Sequence, residues 1–122
     1  MTQPSETERK GWMSLLARAP SGRLVALMPD LPPLSFLRPP EIGAVMVRGR
    51  IGGTGDAFNI GEMTVTRCSV SLADGTVGHG WVQGRDKGHA TRAAVADALM
   101  QTAEAGRMRR DVLAVLAAEA EA

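Results

Sequence analysis

The stretch TRCSVSLADGTVGHGWVQ, residues 66 to 83, sets two alternating runs on either side of Asp74-Gly75. Such a dipeptide between such runs predicts a β-hairpin with a two-residue type I′ turn, because both central residues must accept positive φ. The strands then cover Asn59 to Leu72 and Thr76 to Gln83. A two-residue turn also fixes the register: Ala73 opposes Thr76, Leu72 opposes Val77, Val70 opposes His79, Cys68 opposes Trp81, and Thr66 opposes Gln83. Because side chains alternate along a strand, Leu72, Val70, Cys68, Val77 and Trp81 fall on one face, the expected core face. Ser71, Ser69, Gly78 and Gly80 fall on the other. Earlier in the first strand the apolar phase moves to Met63 and Val65, so a bulge near Thr66 or Arg67 is expected.

Upstream, IGAVMVR (42 to 48) is apolar at successive positions and reads as a covered central strand. Before it, PDLPPLSFLRPP (29 to 40) holds five prolines. Proline removes a ladder donor, so this segment reads as a connector with at most an edge strand at Leu34 to Arg38. Nearer the start, Ser5 and Glu8 have capping-box spacing and Trp12, Leu15, Leu16 and Ala19 recur at helical intervals, predicting a helix from about 6 to 19 that Pro20 ends. Ser21 is placed to cap a short helix holding Leu24, Val25 and Leu27, stopped by Pro29.

Downstream, Asp86 is the expected N-cap of a helix through Ala90, Ala93, Ala96, Leu99, Met100 and Ala103, ended by Gly106. A last helix presents Met108, Val112, Val115 and Leu116. Strands grouped in the middle with helices at both ends imply an α+β fold: one domain over residues 1 to 122, with a central antiparallel sheet of three to four strands.

Composition narrows the function classes. The 14 basic and 13 acidic residues leave a formal charge of +1, which argues against a nucleic-acid partner because phosphate tracking needs clustered excess cation. No apolar run approaches the ~20 residues of a membrane span, and MTQPSETERKGW lacks the basic-then-apolar order of a signal peptide. The expectation is a cytoplasmic chain with no membrane partner. The single cysteine, Cys68, leaves no disulfide framework and no cysteine pair for zinc, and the two histidines make a poor metal site, so none is expected. Four aromatic residues and many alanines imply close helix packing, or surfaces finished by a partner, self-association of the isolated chain included.

RGRIGGTGDAFNIGE (48 to 62) packs five glycines between two arginines and a glutamate. No Lys-Ser/Thr pair follows the glycines as in a P-loop, and Phe58 breaks the dinucleotide fingerprint. Two readings stay open. Gly52, Gly53 and Gly55 permit positive φ in an irregular connection between antiparallel strands. Alternatively they form a nest of backbone amides that, flanked by the guanidinium forks of Arg48 and Arg50, holds phosphate or phosphonate oxygens. The same arginines are equally placed to pair with Glu41 or Glu62.

The predicted register puts His79 on the core face, as a buried neutral imidazole, and Cys68 opposite Trp81, as an inert small hydrophobe. His89, at the start of the long helix, reads as an exposed histidine of the capping region. Arg85 and Lys87 flank Asp86 either as a capped helix start or as a second cationic patch. No catalytic constellation is visible.

The segments VMVRGRIGGTG (45 to 55), FNIGEMTVTRC (58 to 68), GHGWVQGRDKGHA (78 to 90) and AAVADALMQ (93 to 101), with WMSLLA (12 to 17), resemble the PhnG family, the G subunit of the bacterial carbon-phosphorus lyase system for phosphonate breakdown. The resemblance is strongest over residues 9 to 101. It implies an accessory subunit in a core complex with the H, I and J subunits, joined more loosely by K and L proteins. It also implies a role in the ATP-dependent step in which a phosphonate such as methylphosphonate displaces adenine from ATP, giving ribose 1-phosphonate 5-triphosphate. ATP is then a co-substrate of the complex, no cofactor is bound by this chain alone, and the base-displacing residues lie on a partner. The iron-sulfur radical chemistry assigned to the J subunit needs a cysteine cluster that this chain lacks. The resemblance transfers no catalytic residue, so Arg48, Arg50, Gly52, Gly53, Gly55, Glu62, Arg67, Arg85 and His89 stand as candidates for contact with an anion or a partner. The alternative functions are a free-standing phosphate, phosphonate or nucleotide-binding module and a purely structural scaffold.

Overall fold

Gly78 and Gly80 decide how the helices meet the sheet. The computed structural model describes the backbone of residues 4–50 and 57–122 and the side chains of 4–49 and 61–122. Its elements run α1 (Glu6–Arg18), α2 (Arg23–Leu27), β1 (Leu34–Arg50), β2 (Ala57–Leu72), β3 (Val77–Gln83), α3 (Lys87–Leu99), α4 (Ala105–Met108), a π turn (Arg109–Leu113) and α5 (Ala114–Glu121). The three strands form one antiparallel sheet in the order β1-β2-β3, so the expected α+β class and central antiparallel sheet are observed.

The helix α3 lies directly on β2 and β3. A side chain at Gly78 would run into the Ala94 carbonyl and come within 2.6 Å of the Ala98 amide, and one at Gly80 would run into the Ala90 carbonyl and come within 2.8 Å of the Ala94 amide. Only glycine on the strand and alanine on the helix permit this backbone-to-backbone packing. Every residue of α3 from His89 to Leu99 except the half-buried Arg92 is buried, because α1, α2 and α4 cover the side that the sheet does not. Around α3 gather Leu16, Leu24, Val70, Val82 and Val112.

The buried hub of this packing is Asp97, which has no solvent exposure. Its carboxylate accepts a fork of two bonds from Arg9, at 3.1 and 2.8 Å, one from the Trp12 indole at 2.7 Å, and one from the His79 backbone N–H at 2.9 Å. One side chain thus joins α1, α3 and β3. The bonds to Asp97 also hold the Arg9 guanidinium above its ordinary pKa.

The hairpin exists but its turn is longer by one residue than expected. The Gly75 amide donates to the Leu72 carbonyl, and the Leu72 amide donates to the Thr76 carbonyl, both at 2.9 Å. The loop is therefore Ala73 to Gly75, with Gly75 at φ +89°, the arrangement of a three-residue hairpin closed by a glycine bulge. The register slips accordingly: Ser71 faces Val77, Val70 faces Gly78, Ser69 faces His79, Cys68 faces Gly80, and Arg67 faces Trp81. The slip exchanges the faces of β3. Gly78, Gly80 and Val82 face α3, while Val77, His79, Trp81 and Gln83 face away, with Trp81 43% exposed. The expected core positions of Val77, His79 and Trp81 are corrected by this one residue.

Other boundaries differ for local reasons. No bulge interrupts the β2–β3 ladder, which is continuous from Val65 to Ser71; Met63 and Val65 simply lie on the sheet face opposite Val70. In the β1–β2 ladder the extra residue falls in β1 at Phe36/Arg38 and Arg38/Glu41, and in β2 between Asn59 and Gly61, opposite Val47/Arg48. There the connector and the central strand expected from the sequence are one 17-residue strand at the sheet edge. An edge strand tolerates Pro39 and Pro40 where its register shifts. Gly22, not Ser21, sits at the N-cap of α2, with φ +83°, while Ser21 donates to Asp86 at 2.6 Å. α3 ends at Leu99, and Gly106 lies inside α4.

The close approach at Gly80 makes a direct prediction. Gly80→Ala is expected to destabilise the chain by about 3 kcal/mol, the upper end of core overpacking, because it meets backbone. Gly106→Ala, whose Cβ has nothing within 4 Å, is expected to be neutral or to stabilise by up to about 1 kcal/mol. Urea unfolding of both variants checks this; equal costs would contradict it.

Candidate functional site

The structure separates the candidate residues into two regions. The first is the outer half of the β1–β2 hairpin. β3 pairs with β2 only over Val65–Ser71, whereas β1 pairs with β2 as far as Arg50 and Ala57. Beyond β3 the two strands therefore continue as a ribbon to which no third strand among the described residues pairs. Ile42 and Met46 project on the side of α3, opposite Thr66 and Glu62, while Val45 and Val47 project on the other, opposite Met63 and Gly61. Ile42 is 39% exposed, Met46 49% and Val47 37%. The run expected to be a covered central strand is thus an exposed, two-faced edge.

Arg48, Glu62 and Arg67 lie along this hairpin and are all exposed. Arg67 sits between Glu41 on β1 and Trp81 on β3, on the face away from α3. Glu41 is in turn 3.6 Å from Arg38. The side chain of Arg50 and the glycines Gly52, Gly53 and Gly55 lie outside the described residues, so both readings of the glycine stretch stand as stated.

The second region surrounds the start of α3. Asp86 caps the helix, accepting from the His89 amide at 3.0 Å and from the Ser21 hydroxyl, so the Arg85-Asp86-Lys87 stretch is a capped helix start with both cations exposed. His89 is buried rather than exposed. Its Nε2 lies 2.8 Å from the Leu16 carbonyl; a carbonyl only accepts, so the proton is on Nε2, and the ring ties the end of α1 to the start of α3. His79 is correspondingly exposed, with Nδ1 2.7 Å from the Ser69 hydroxyl. The two histidines exchange their expected environments. The sequence signal for this was the alternation of glycine with larger residues in VGHGWVQ beside an alanine-rich helix, which marks the glycine side as the packed one.

A groove of about 750 Å³ opens between these elements, lined by Met13, Ala17 and Arg18 of α1, by His79, Trp81 and Gln83 of β3, and by Asp86 and His89. Arg85 does not line it. Cys68 is buried under α3, and burial raises its thiol pKa despite the nearby Thr91 hydroxyl, which makes it a packing residue rather than a nucleophile. Among the described residues no cluster of His, Cys, Asp or Glu could hold a metal ion, and no helix is long and apolar enough to cross a membrane.

Residues 7–122 match the family model described as "Phosphonate metabolism protein PhnG". The chain belongs to the PhnG family. It is 50% identical over 99 residues to the "Alpha-D-ribose 1-methylphosphonate 5-triphosphate synthase subunit PhnG" of Rhizobium meliloti (strain 1021). That match covers 79% of this chain and 64% of the relative's own length. In this PhnG-family chain, then, the exposed candidates Arg48, Glu62, Arg67 and Arg85 decorate surfaces, and His89 is a buried tie between helices.

The Asp86 cap predicts a pH dependence. The bonds from Ser21 and then from the His89 amide hold its carboxyl below the ordinary aspartate range. Its contribution is therefore complete above pH ~4 and is lost as the pH falls through the lowered folded-state value. Asp86→Ala should cost about 1–2 kcal/mol at pH 6. The gap from the unmutated chain should narrow steadily below pH ~4, read by thermal unfolding from pH 6 to pH 2.5. A gap independent of pH would refute the assignment.

Proposed function

We propose that this chain is an accessory subunit of the carbon-phosphorus lyase assembly, acting in the step in which a phosphonate displaces adenine from ATP to give ribose 1-phosphonate 5-triphosphate. The reading rests on family membership and on what the Rhizobium relative is called, a subunit of the synthase for the methylphosphonate product. The H, I and J subunits are its partners, with K and L proteins more loosely attached, in the cytoplasm. ATP is a co-substrate of the assembly, and this chain carries no cofactor of its own.

The observation that carries a docking role is the β1–β2 ribbon. A two-stranded ribbon is marginal in water by itself, and here apolar side chains project from both faces and remain exposed. An exposed apolar edge invites pairing with other chains unless something covers it. The Ser69–His79 pair, the one close contact between a hydroxyl and an imidazole among the described residues, lacks a third group that would orient the ring as in a catalytic triad. The base-displacing chemistry is accordingly assigned to a partner, with this subunit positioning or completing its site.

Adenine release from ATP and methylphosphonate, measured with purified H, I and L proteins, should require this chain; equal release without it would refute the role in this step. Replacing Ile42 and Met46 together by lysine should leave the isolated chain within about 1 kcal/mol of its stability, since both side chains are exposed. The same double variant should weaken co-purification with the H, I and J subunits by at least about tenfold, as loss of central apolar contacts does. Unchanged association would move the docking surface elsewhere.

A further inference from the structure

The outer edge of β3 is closed over its first half and open over its second. In β3 the even-numbered residues bond to β2, as the Gly84 amide does to the Thr64 carbonyl just beyond the strand, so the odd-numbered residues turn their N–H and C=O groups outward. Side chains of this chain satisfy two of these, the Val77 carbonyl and the His79 amide. Gln101 donates to the Val77 carbonyl at 2.9 Å, and Asp97 accepts from the His79 amide. Past that point no described group bonds the His79 carbonyl, the Trp81 amide and carbonyl, or the Gln83 amide. They succeed one another at the repeat of a strand, about 6.8 Å per residue pair.

The unbonded stretch borders the groove. α1 is held to β3 near His79 through Arg9, Trp12 and Asp97, whereas the half-buried Met13 and Ala17 of its second half line open space facing Trp81 and Gln83. The edge therefore meets an apolar wall at the distance of a cavity rather than of a packed contact.

We propose that this groove receives an extended apolar segment of a partner protein, which adds to the sheet as a fourth strand beside β3. Four backbone groups in strand order select polypeptide in extended form, since only that matches donors and acceptors at this repeat. The half-buried methionine and alanine opposite select alternate apolar side chains on the incoming segment. Its source is another subunit of the assembly, so the inference rests on the proposed function. It names a surface on the opposite edge of the sheet from the ribbon.

The test uses the tagged chain free and in the complex isolated with it from phosphonate-grown cells. Backbone amide exchange at Trp81 and Gln83 should be fast in the free chain and at least about a hundredfold slower in the complex. Trp81→Pro and Trp81→Ala form a second arm: both remove the indole, and only proline removes the outward N–H, at a position where an edge strand accepts proline. Trp81→Pro should bind its partners at least about fivefold more weakly than Trp81→Ala. A complex whose Trp81 and Gln83 amides exchange as in the free chain overturns the strand addition alone. Failure of any partner to co-purify overturns the proposed function with it. Protection that appears in the free chain on concentration assigns the edge to a second copy and overturns the inference as stated.

Discussion

The contact between the backbone of α3 and the glycines of β3 is the constraint on which the remaining architecture depends. With no side chain at Gly78 or Gly80, the helix sits lower on the sheet than ordinary side-chain packing allows. Residues as small as Ala90, Ala94 and Ala98 can then fill a core. The chain has few large aromatic side chains to bury, and close approach replaces bulk with many short dispersion contacts. The low seat also leaves room for α1, α2 and the C-terminal helices to close over the far side of α3, which is why the helix is buried along most of its length.

Asp97 follows from that seat. Only a helix lying this close can bring a carboxylate to the outer edge of β3, where it takes the place of a neighbouring strand for one amide while holding Arg9 and Trp12. A buried carboxylate is tolerated when its lone pairs are used and a cation is near, and both conditions hold here. Its reach determines where the edge is closed. Among the described residues the sheet is thus unfinished along β1, where apolar side chains remain uncovered, and along the second half of β3, where backbone groups remain unbonded.

Much of this was legible in the residues. Ser5 with Glu8, and Asp86 ahead of an alanine-rich run, announced α1 and α3 because capping is local chemistry. The hairpin was legible in Asp74-Gly75, but not its loop length, since the same glycine suits either position of a two-residue turn or the last position of a three-residue one. His79, Trp81 and His89 were misplaced for that reason and because the packing of Gly78 and Gly80 against α3 is tertiary. The sequence of β1 reads as a central strand because apolar residues at successive positions usually mean cover on both faces. Under the proposed docking role, the cover that such a run implies is supplied by a partner subunit. Arg48, Glu62, Arg67 and Arg85 are exposed, and no local pattern encodes what such surface residues meet.

The three-residue loop has a bearing on how the sequence can change. Substitution at Ala73 or Asp74 alters an exposed turn and little else, but insertion or deletion of one residue there that kept a three-residue loop would rotate β3 relative to β2 by a full alternation. The indole of Trp81 would be driven toward Ala90 and the glycines turned to solvent. Descent through point changes is open at this turn, while changes in length are open only where the loop itself takes up the difference and leaves the strand pairs as they are.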